Sequence, residues 1–351
     1  MNAGSSRPLL QRERALGVAL VIVSACGFGS GALFAKPIYA AGVDWLTLLC
    51  WRFLFAALFA WGWLLIWSAQ RRALRAISRR RLGVLVLLGV LYVGNSGTYF
   101  AGLMTVPASL AALIVYLYPA LVAVMSIRFA RRLEGRRPWA ALVLATAGVG
   151  LAVGGIDPAA TPPIEGLLLM LASPFIYAAW IILAARLGGE RPESSELPAA
   201  AGAGASVPPH DAEATTQPEE TDSSPAAAIM LTATAIAWWL AAMLTDHPVA
   251  PALIPAEAWL PLVGVGLVAT ALALQTFYAG ARRIGAAQAS LVSTVEPVYT
   301  IVLATLLFAE QLTPIQLAGG TMVIVGVIIA QIGGGRPDET RLVPDRQRAT
   351  G

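Results

Sequence analysis

Apolar residues fall into long blocks along the 351-residue chain, and polar residues are concentrated in the short stretches between them. Each block holds about 20 residues, the length that an α-helix needs to cross a hydrocarbon core about 30 Å thick. Most blocks lack a clear polar face, as expected for helices that meet lipid or other helices on most sides. The pattern predicts an all-α integral membrane protein with ten transmembrane helices, at residues 15–35, 44–67, 82–103, 107–127, 138–154, 164–185, 226–244, 257–279, 286–308 and 314–332.

The chain also contains a repeat of itself. Residues Tyr99–Pro119 align without a gap on Phe277–Pro297, at an offset of 178 positions. Within this alignment, Met104-Thr105 of the first copy corresponds to Arg282-Arg283 of the second. Two homologous halves that carry their basic loops at opposite ends are expected to cross the membrane in opposite orientations. Inverted repeats of this kind are an architecture of secondary transporters.

The repeat divides the chain into two halves of five predicted helices, residues 15–156 and 157–332, flanked by tails at 1–14 and 333–351. Because five is an odd number, the second half enters the membrane from the opposite side. The second half also carries the segment 187–225, which is rich in Ala, Pro, Ser, Thr and Glu. Such a composition buries too little apolar surface to offset the entropy of ordering, so we expect a disordered cytoplasmic loop there.

Composition indicates a membrane protein, and the distribution of charge predicts how the chain is oriented across the membrane. At 57% hydrophobic and 13% charged residues, the chain is too apolar for a soluble protein of this length. Arginines account for 23 of the 24 basic residues, and the predicted connections 104–106, 155–163, 245–256 and 309–313 contain none. Because basic residues favour the cytoplasmic side, both termini are predicted to be cytoplasmic and the protein to lie in the inner membrane. The net charge of +4 therefore reflects topology and contact with membrane lipids, and no nucleic-acid partner is expected.

Several runs of residues resemble a known family. The run Ser290–Tyr299 (SLVSTVEPVY), followed by Leu307–Pro314 (LFAEQLTP), is similar to the EamA pattern of the drug/metabolite transporter superfamily. The likeness extends to Trp51-Arg52-Phe53 and covers roughly residues 15–332. It implies a ten-helix transporter with a central cavity between the halves. The insertion 187–225 is not part of the pattern, and the resemblance implies no particular substrate.

Glu296 is the strongest candidate for a functional residue. A charged carboxylate near the middle of the ninth predicted helix costs a few kcal/mol or more. Ser293 and Thr300 lie three residues before and four after it, and so share its helix face. Pro297 removes a helical hydrogen bond and crowds the Ser293 carbonyl, so Pro297 and its repeat partner Pro119 are predicted hinges. We expect a substrate or proton-coupling site at Glu296; the alternative is a Glu that only ties the helix to a neighbour.

Arg52 is the basic residue that falls deepest inside a predicted helix. It lies about eight residues into the second segment, or about 12 Å down at about 1.5 Å per residue. A pair with Glu296, contact with a carboxylate of the substrate, and a link to backbone carbonyls all remain open. The other side chains that we expect to contact a solute or to join helices are Asn95, Tyr99, Tyr116, Gln275 and Tyr278.

The leading functional hypothesis is a secondary transporter that moves a small metabolite or drug-like solute by alternating access, with proton coupling through Glu296. The resemblance favours export. A flippase for a lipid or lipid carrier is the alternative within the same fold. A membrane-embedded enzyme is less favoured, because His210 and His247 lack a metal-ligand pattern and no nucleophile has a base at a suitable spacing. We therefore expect no catalytic residue, metal or cofactor, while the oligomeric state stays open.

Overall fold

A computed structural model of the chain describes residues 6–66, 68–130, 137–155, 161–187 and 223–332. Over these residues the secondary structure is helical and contains no strand. A π-helical turn at Leu267–Leu272 joins α10 to α11. In chain order the helices are α1 (Ser6–Ala40), α2 (Trp45–Ile66), α3 (Ser68–Arg75), α4 (Arg79–Leu103), α5 (Ala108–Val115), α6 (Tyr118–Ala130), α7 (Arg137–Gly154), α8 (Ile164–Leu187), α9 (Ser223–Leu244), α10 (Ala256–Gly266), α11 (Ala273–Ile284), α12 (Ala286–Ser293), α13 (Val295–Phe308) and α14 (Pro314–Ile332).

Eight stretches of the described helices are long and apolar enough to cross a membrane. Three of these stretches combine two helices: α5 with α6, α10 with α11, and α12 with α13. The apolar parts of α7 and α14 are shorter, at Trp139–Val153 and Pro314–Ile329. The all-helical, multi-spanning character predicted from the sequence is confirmed, whereas the count of ten membrane crossings stays a prediction.

Two of the predicted helices, 107–127 and 286–308, are each broken in two. The breaks separate α5 from α6 and α12 from α13. Helices α5 and α12 both contain eight residues and lie 178 positions apart, which is the offset of the internal repeat. Each break comes shortly before Pro119 or Pro297, whose missing N–H leaves the carbonyl four residues earlier without its helical partner. The helices of the two halves are therefore interrupted at equivalent positions.

Helix α1 extends beyond both ends of the predicted membrane segment 15–35. Helix α1 begins at Ser6, inside the segment predicted as a tail, and continues through Pro37 to Ala40. Pro37 removes only one backbone bond from this long helix, so it does not end it. The helix ends where Gly42 takes a positive φ of 84°, a conformation that glycine adopts without steric cost.

Residues 188–222, which form most of the predicted disordered loop, lie outside the described residues, as does the predicted tail 333–351. Helix α9 begins at Ser223, so the last three residues of the predicted 187–225 segment are helical. Helix α3 was not expected. It is short and carries Arg72 and Arg75 in its last turn.

Backbone contact between α7 and α14 is very close. A Cβ atom built on Gly148 would lie 2.5 Å from the Gly319 carbonyl oxygen, and one on Gly326 would lie 2.9 Å from the Ala141 carbonyl oxygen. Only glycine allows two helices to approach so closely. The contact lies within one chain and joins the last helix of each sequence half.

Two further glycine contacts are related by the internal repeat. A Cβ atom on Gly280 would lie 2.8 Å from the Gly17 carbonyl oxygen, which joins α11 to α1. A Cβ atom on Gly102, the repeat partner of Gly280, would lie 2.9 Å from the Gly166 carbonyl oxygen, which joins α4 to α8. The first contact lies near the start of α1, and the second near the end of α4. These equivalent contacts occupy opposite ends of the bundle, because Lys36, near the other end of α1, reaches the end of α4.

The end of the bundle that carries Arg14, Arg71, Arg79 and Arg283 is named the arginine end. At the opposite end, two charged side chains hold the connection between α4 and α5. The Lys36 ammonium donates to the carbonyls of Leu103 (2.9 Å) and Val106 (2.6 Å). The Glu310 carboxylate accepts from the backbone N–H groups of Ala108 (2.9 Å) and Ser109 (2.8 Å) at the start of α5. Each charge therefore complements the partial charge of a helix end.

Candidate functional site

A cavity lies inside the bundle, lined by α1, α2, α4, α5, α6, α8, α9, α13 and the π-helical turn with the start of α11. Its volume is about 140 Å³, measured as the space open to the centres of water-sized molecules. Its wall contains one carboxyl group, from Glu296, and one guanidinium group, from Arg52. The remaining lining is mainly aromatic and small polar side chains, so the cavity suits a small solute with both polar and apolar parts.

Glu296 reaches the cavity because the chain breaks immediately before it. Thr294 separates α12 from α13, and Glu296 stands in the first turn of α13. The Tyr116 hydroxyl, at the end of α5, lies 3.0 Å from Oε2 of Glu296 and 3.0 Å from the carbonyl oxygen of Ser293. Pro297 has no N–H to give that carbonyl. One hydroxyl therefore serves both the carboxyl group and a carbonyl released by the proline.

The predicted neighbours of Glu296 on its helix do not line the cavity. The Ser293 hydroxyl donates to the Ala289 carbonyl at 2.9 Å, within α12. The Thr300 hydroxyl lies 3.2 Å from the Gly29 carbonyl, which ties α13 to α1. The break at Thr294 ends the continuous helix on which the sequence prediction of a common polar stripe depended. Ser293 instead contributes its backbone carbonyl to the site.

Arg52 is buried and contacts three side chains, those of Thr270, Phe53 and Phe100. Its Nε donates to the Thr270 hydroxyl of the π-helical turn at 2.9 Å, and that hydroxyl donates to the Val265 carbonyl of α10 at 2.8 Å. Its guanidinium carbon lies 4.5 Å from the Phe100 ring centroid and 5.1 Å from that of Phe53, within the range of cation–π attraction.

The structure does not bring Arg52 within ion-pair distance of Glu296, so the direct pair, one of the three alternatives left open by the sequence, is not present. Nor does Arg52 bond to a backbone carbonyl of the described residues. Its terminal guanidinium nitrogens have no hydrogen-bond partner there, and Arg52 lines the cavity. A fixed guanidinium with available N–H groups is suited to bind a carboxylate or another oxyanion.

The other predicted residues divide into two groups. Asn95, Tyr99 and Tyr116 line the cavity, and the Asn95 side-chain oxygen accepts from the Ser173 hydroxyl at 2.9 Å. Gln275 does not line it, since its side-chain oxygen accepts from the Ser224 hydroxyl and joins α11 to α9. Tyr278 is buried beside Phe277 and also lies outside the cavity wall. The predicted hinge Pro119 lies next to a lining residue, Tyr118.

The cavity has an aromatic wall made of Tyr92, Tyr118, Tyr177 and Trp180, of which sequence reasoning missed the three tyrosines. Ring centroids lie 5.0 Å apart for Tyr118 and Tyr177, and 5.3 Å apart for Tyr92 and Trp180. The Tyr118 hydroxyl is buried without a hydrogen-bond partner among the described residues. The internal repeat carries a signal for this residue, because Tyr118 aligns with Glu296 at the offset of 178. Among the described residues, no three His, Cys, Asp or Glu side chains are grouped closely enough to hold a metal ion.

Comparison with known proteins places the chain among membrane transporters. The EamA-like transporter family matches residues 15–154 and 215–331. An uncharacterized transporter from Archaeoglobus fulgidus is 34% identical over 73 residues, and this match spans only 27% of that protein and 21% of this chain. A solved structure titled only as the crystal structure of a protein covers 92% of this chain and 98% of its own, at 17% identity and a TM-score of 0.55, and so shares the fold. Because the family match covers well over half of the chain, the protein belongs to the EamA-like transporter family, whose members are multi-pass membrane proteins.

Proposed function

We propose that this protein is a secondary transporter of the inner membrane that moves a small solute through the Arg52–Glu296 cavity by alternating access. The observation that carries the proposal is an internal cavity with one carboxyl, one fixed guanidinium and an aromatic wall, in a chain of a transporter family. Buried ionisable groups inside membrane helices are costly and mark substrate or ion pathways. The solute is a metabolite or drug-like molecule, and the direction is export.

The transporter is built from ten membrane helices in two inverted halves, residues 15–156 and 157–332. Three features support this arrangement. Helices α5 and α12 coincide at the repeat offset, and the chain breaks at equivalent positions after each. The equivalent glycine contacts of Gly280 and Gly102 lie at opposite ends of the bundle. Opposed motion of two inverted halves about a central site would expose that site to each side in turn.

The arginine end is the cytoplasmic side, and both termini lie there. The proposal follows from the concentration of arginines in the tails and in alternate connections. A reporter fused after Arg348 is expected to be active only in the cytoplasm, and one inserted in 245–256 only outside. The opposite result for either reporter would contradict this topology.

Glu296 couples transport to a proton through the Tyr116 hydroxyl. A hydroxyl has one hydrogen to donate. When Glu296 is protonated, it donates to Tyr116, and Tyr116 donates to the Ser293 carbonyl. When Glu296 is charged, Tyr116 donates to the carboxylate, and the Ser293 carbonyl is left without a partner. Proton occupancy thereby changes the hydrogen bonding of the break between α12 and α13.

The solute carries an anionic group that binds Arg52 and an apolar or aromatic part that packs against the aromatic wall. Thr270 and the Phe100 ring hold the Arg52 guanidinium in place, so little conformational entropy is lost when an oxyanion binds. The unpartnered Tyr118 hydroxyl is available for a further hydrogen bond from the solute. A charge-assisted bond to Arg52 and ring contacts at the wall would together orient the solute.

The test compares small molecules inside and outside cells that produce the wild-type chain, Glu296→Gln, Glu257→Gln or no protein. Glu257 is an exposed carboxylate at the start of α10 and serves as the matched control. We expect a solute whose distribution changes with wild type and Glu257→Gln but not with Glu296→Gln. A change with all three proteins would keep the transporter and reduce Glu296 to a structural role. No change with wild-type protein present in the membrane would overturn transport of polar solutes and favour the lipid flippase.

A further inference from the structure

A second concave surface lies on the outside of the bundle, away from the transport cavity. It is an apolar groove between α4 and α9, with a volume of about 700 Å³ measured as the space open to water-sized molecules. One wall is formed by Leu82, Val86 and Val90 of α4, and the rim of the other by Ile236 and Leu240 of α9. The hydroxyl of Thr232 is its only side-chain hydroxyl, and it accepts from the Trp61 ring N–H at 2.8 Å. The groove therefore presents almost no free polar group to an occupant.

The groove exists because α9 carries small residues on this face. Ala233, Ala237 and Ala241 recur every four residues and line its floor. From Ile229 to Leu244 the groove follows α9 for about 22 Å at the usual helical rise, more than half of a hydrocarbon core about 30 Å thick. Ile236 and Leu240 at the rim are 55% and 51% exposed, so the groove opens towards the membrane.

At the arginine end, the groove meets helix α3. Leu74 and Ile77 face into the groove, while Arg72, Arg75 and Arg79 are exposed beside them. The segment 68–81 contains six arginines and no acidic residue. A short helix with one apolar and one basic face at the end of a membrane helix is typical of contact with anionic head groups.

We propose that this groove binds one anionic phospholipid, with an acyl chain along α9 and the phosphate at Arg72, Arg75 and Arg79. An occupant must match both the long apolar groove and the positive charge beside it. A lipid does so in one molecule, with an apolar acyl chain and an anionic head group. A free phosphate would use the arginines but leave the groove unfilled. A second copy of the chain would bring the same basic surface against itself, because two-fold contacts are self-complementary. The bound lipid links α3, α4 and α9, and this inference does not rest on the proposed function.

The experiment measures the lipids retained by the purified full chain, using native mass spectrometry after exchange from vesicles of equal phosphatidylglycerol and phosphatidylcholine. We expect one phosphatidylglycerol to remain bound in preference to phosphatidylcholine. The double variant Arg72→Gln, Arg75→Gln is expected to weaken phosphatidylglycerol retention by about 30-fold. Each arginine near an anionic head group strengthens binding by a similar factor, about five- to sixfold, so the loss of two multiplies to this value. The matched control is Arg12→Gln with Arg14→Gln, which removes two arginines at the same end on α1.

A second variant tests the groove itself. Ala237→Phe fills the floor and is expected to reduce retention of both lipids, whereas Val302→Phe, at an exposed position on α13, is expected to leave retention unchanged. Circular dichroism and the yield from membranes show whether each variant is folded. Equal retention of the two lipids by wild type, or undiminished retention by folded Ala237→Phe, would overturn the proposal. So would binding of glycerol phosphate alone that Ala237→Phe does not alter, or dimer formation by the delipidated chain that Ala237→Phe abolishes.

Discussion

The hydroxyl of Tyr116 lies 3.0 Å from the carboxyl oxygen Oε2 of Glu296, and it makes this contact across the boundary between the two sequence halves. Tyr116 directly follows the short helix α5, and Glu296 lies in the first turn of α13, so each residue stands beside a break in a membrane-spanning stretch. The contact therefore joins two places where the regular pattern of helical backbone hydrogen bonds is interrupted. A change at either residue is expected to reach both breaks.

Replacing Tyr116 by Phe removes the hydroxyl and keeps the ring. The Ser293 carbonyl then loses its side-chain partner, at a cost of about 1–3 kcal/mol for a buried acceptor. We expect a lower thermal unfolding temperature and transport that no longer responds to a pH gradient across proteoliposomes. Tyr299→Phe is the control, because the Tyr299 hydroxyl contacts Ser30 outside the cavity wall. A normal pH response in Tyr116→Phe would contradict the proposed coupling.

Replacing Pro297 by Ala supplies the missing N–H to the Ser293 carbonyl. The repaired backbone bond is expected to stabilise the fold by about 1 kcal/mol. Transport is expected to slow, because the carbonyl no longer depends on Tyr116 and the break loses its link to proton occupancy. Thermal unfolding tests the gain in stability, and the transport rate tests the loss of activity. Pro314→Ala, at the first position of α14, is the control. An equal gain in stability in that variant would show that the gain in Pro297→Ala does not come from the restored bond to the Ser293 carbonyl.

Replacing Arg52 by Lys keeps the positive charge and removes the planar guanidinium. The bond from Nε to Thr270 and the contact of the guanidinium with the Phe100 ring are both lost, so we expect solute binding to weaken by about tenfold, as for a loss of about 1.4 kcal/mol. Thr270→Val is expected to give a smaller loss, because the charge remains and only its support is removed. Binding is measured on purified protein once the solute is known, with exposed Arg12→Lys as the control. Unchanged binding in Arg52→Lys would reduce Arg52 to a generic positive charge.

Asp44 gives a pH prediction outside the membrane-spanning segments. Burial alone would raise the pKa of this carboxyl, but hydrogen bonds from Thr47 and His247 hold it below its ordinary value. Its oxygens accept from the Leu46 N–H at 2.8 Å, which caps α2, and lie 2.9 Å from the His247 ring. Because the folded pKa is lowered, the stabilisation is present above the unfolded pKa of about 3.9 and is lost as pH falls through the folded value.

We therefore expect Asp44→Ala to lower stability by about 1 kcal/mol at neutral pH through loss of the helix cap. Asp44→Asn keeps a capping oxygen and should cost less, while its unfolding temperature should lose the part of the acid dependence that comes from Asp44. Unfolding temperatures from pH 7 down to about pH 3 test both variants. Asp246→Asn, a neighbouring change at a residue with positive φ, is the control. An acid dependence identical in wild type and Asp44→Asn would contradict the prediction.

The sequence was sufficient to predict an all-helical, multi-spanning membrane protein, and it drew attention to Glu296, which lines the cavity. Long apolar blocks and the internal repeat depend on composition and spacing, and Glu296 is conspicuous as a carboxylate inside an apolar block. The breaks at α5 and α12 were not predicted as breaks, because a proline in the first turn of a new helix and one inside a loosened helix look alike in sequence. The continuation of the first helix to Ala40 was not predicted, because one proline costs too little to end a long helix.

The composition of the cavity wall was harder to predict. Asn95, Tyr99 and Tyr116 were expected on grounds of polarity, yet Gln275 has the same character and joins two helices instead. Tyr118 was not expected, because an aromatic residue inside a membrane segment is ordinarily packing material. Only the fold shows that its hydroxyl is buried without a partner among the described residues. Helix rotation decides which side chains reach a cavity, and that rotation depends on contacts that no single segment contains.

The contact of Gly148 with Gly319 has a mechanical consequence. Where backbone touches backbone, neither helix can slide along or roll over the other without driving a neighbouring side chain into a carbonyl. We therefore expect α7 and α14 to move together as one rigid unit in any rearrangement of the bundle. A bulky residue at Gly148 is expected to push the two helices apart, so that each half of the chain could then move without the other.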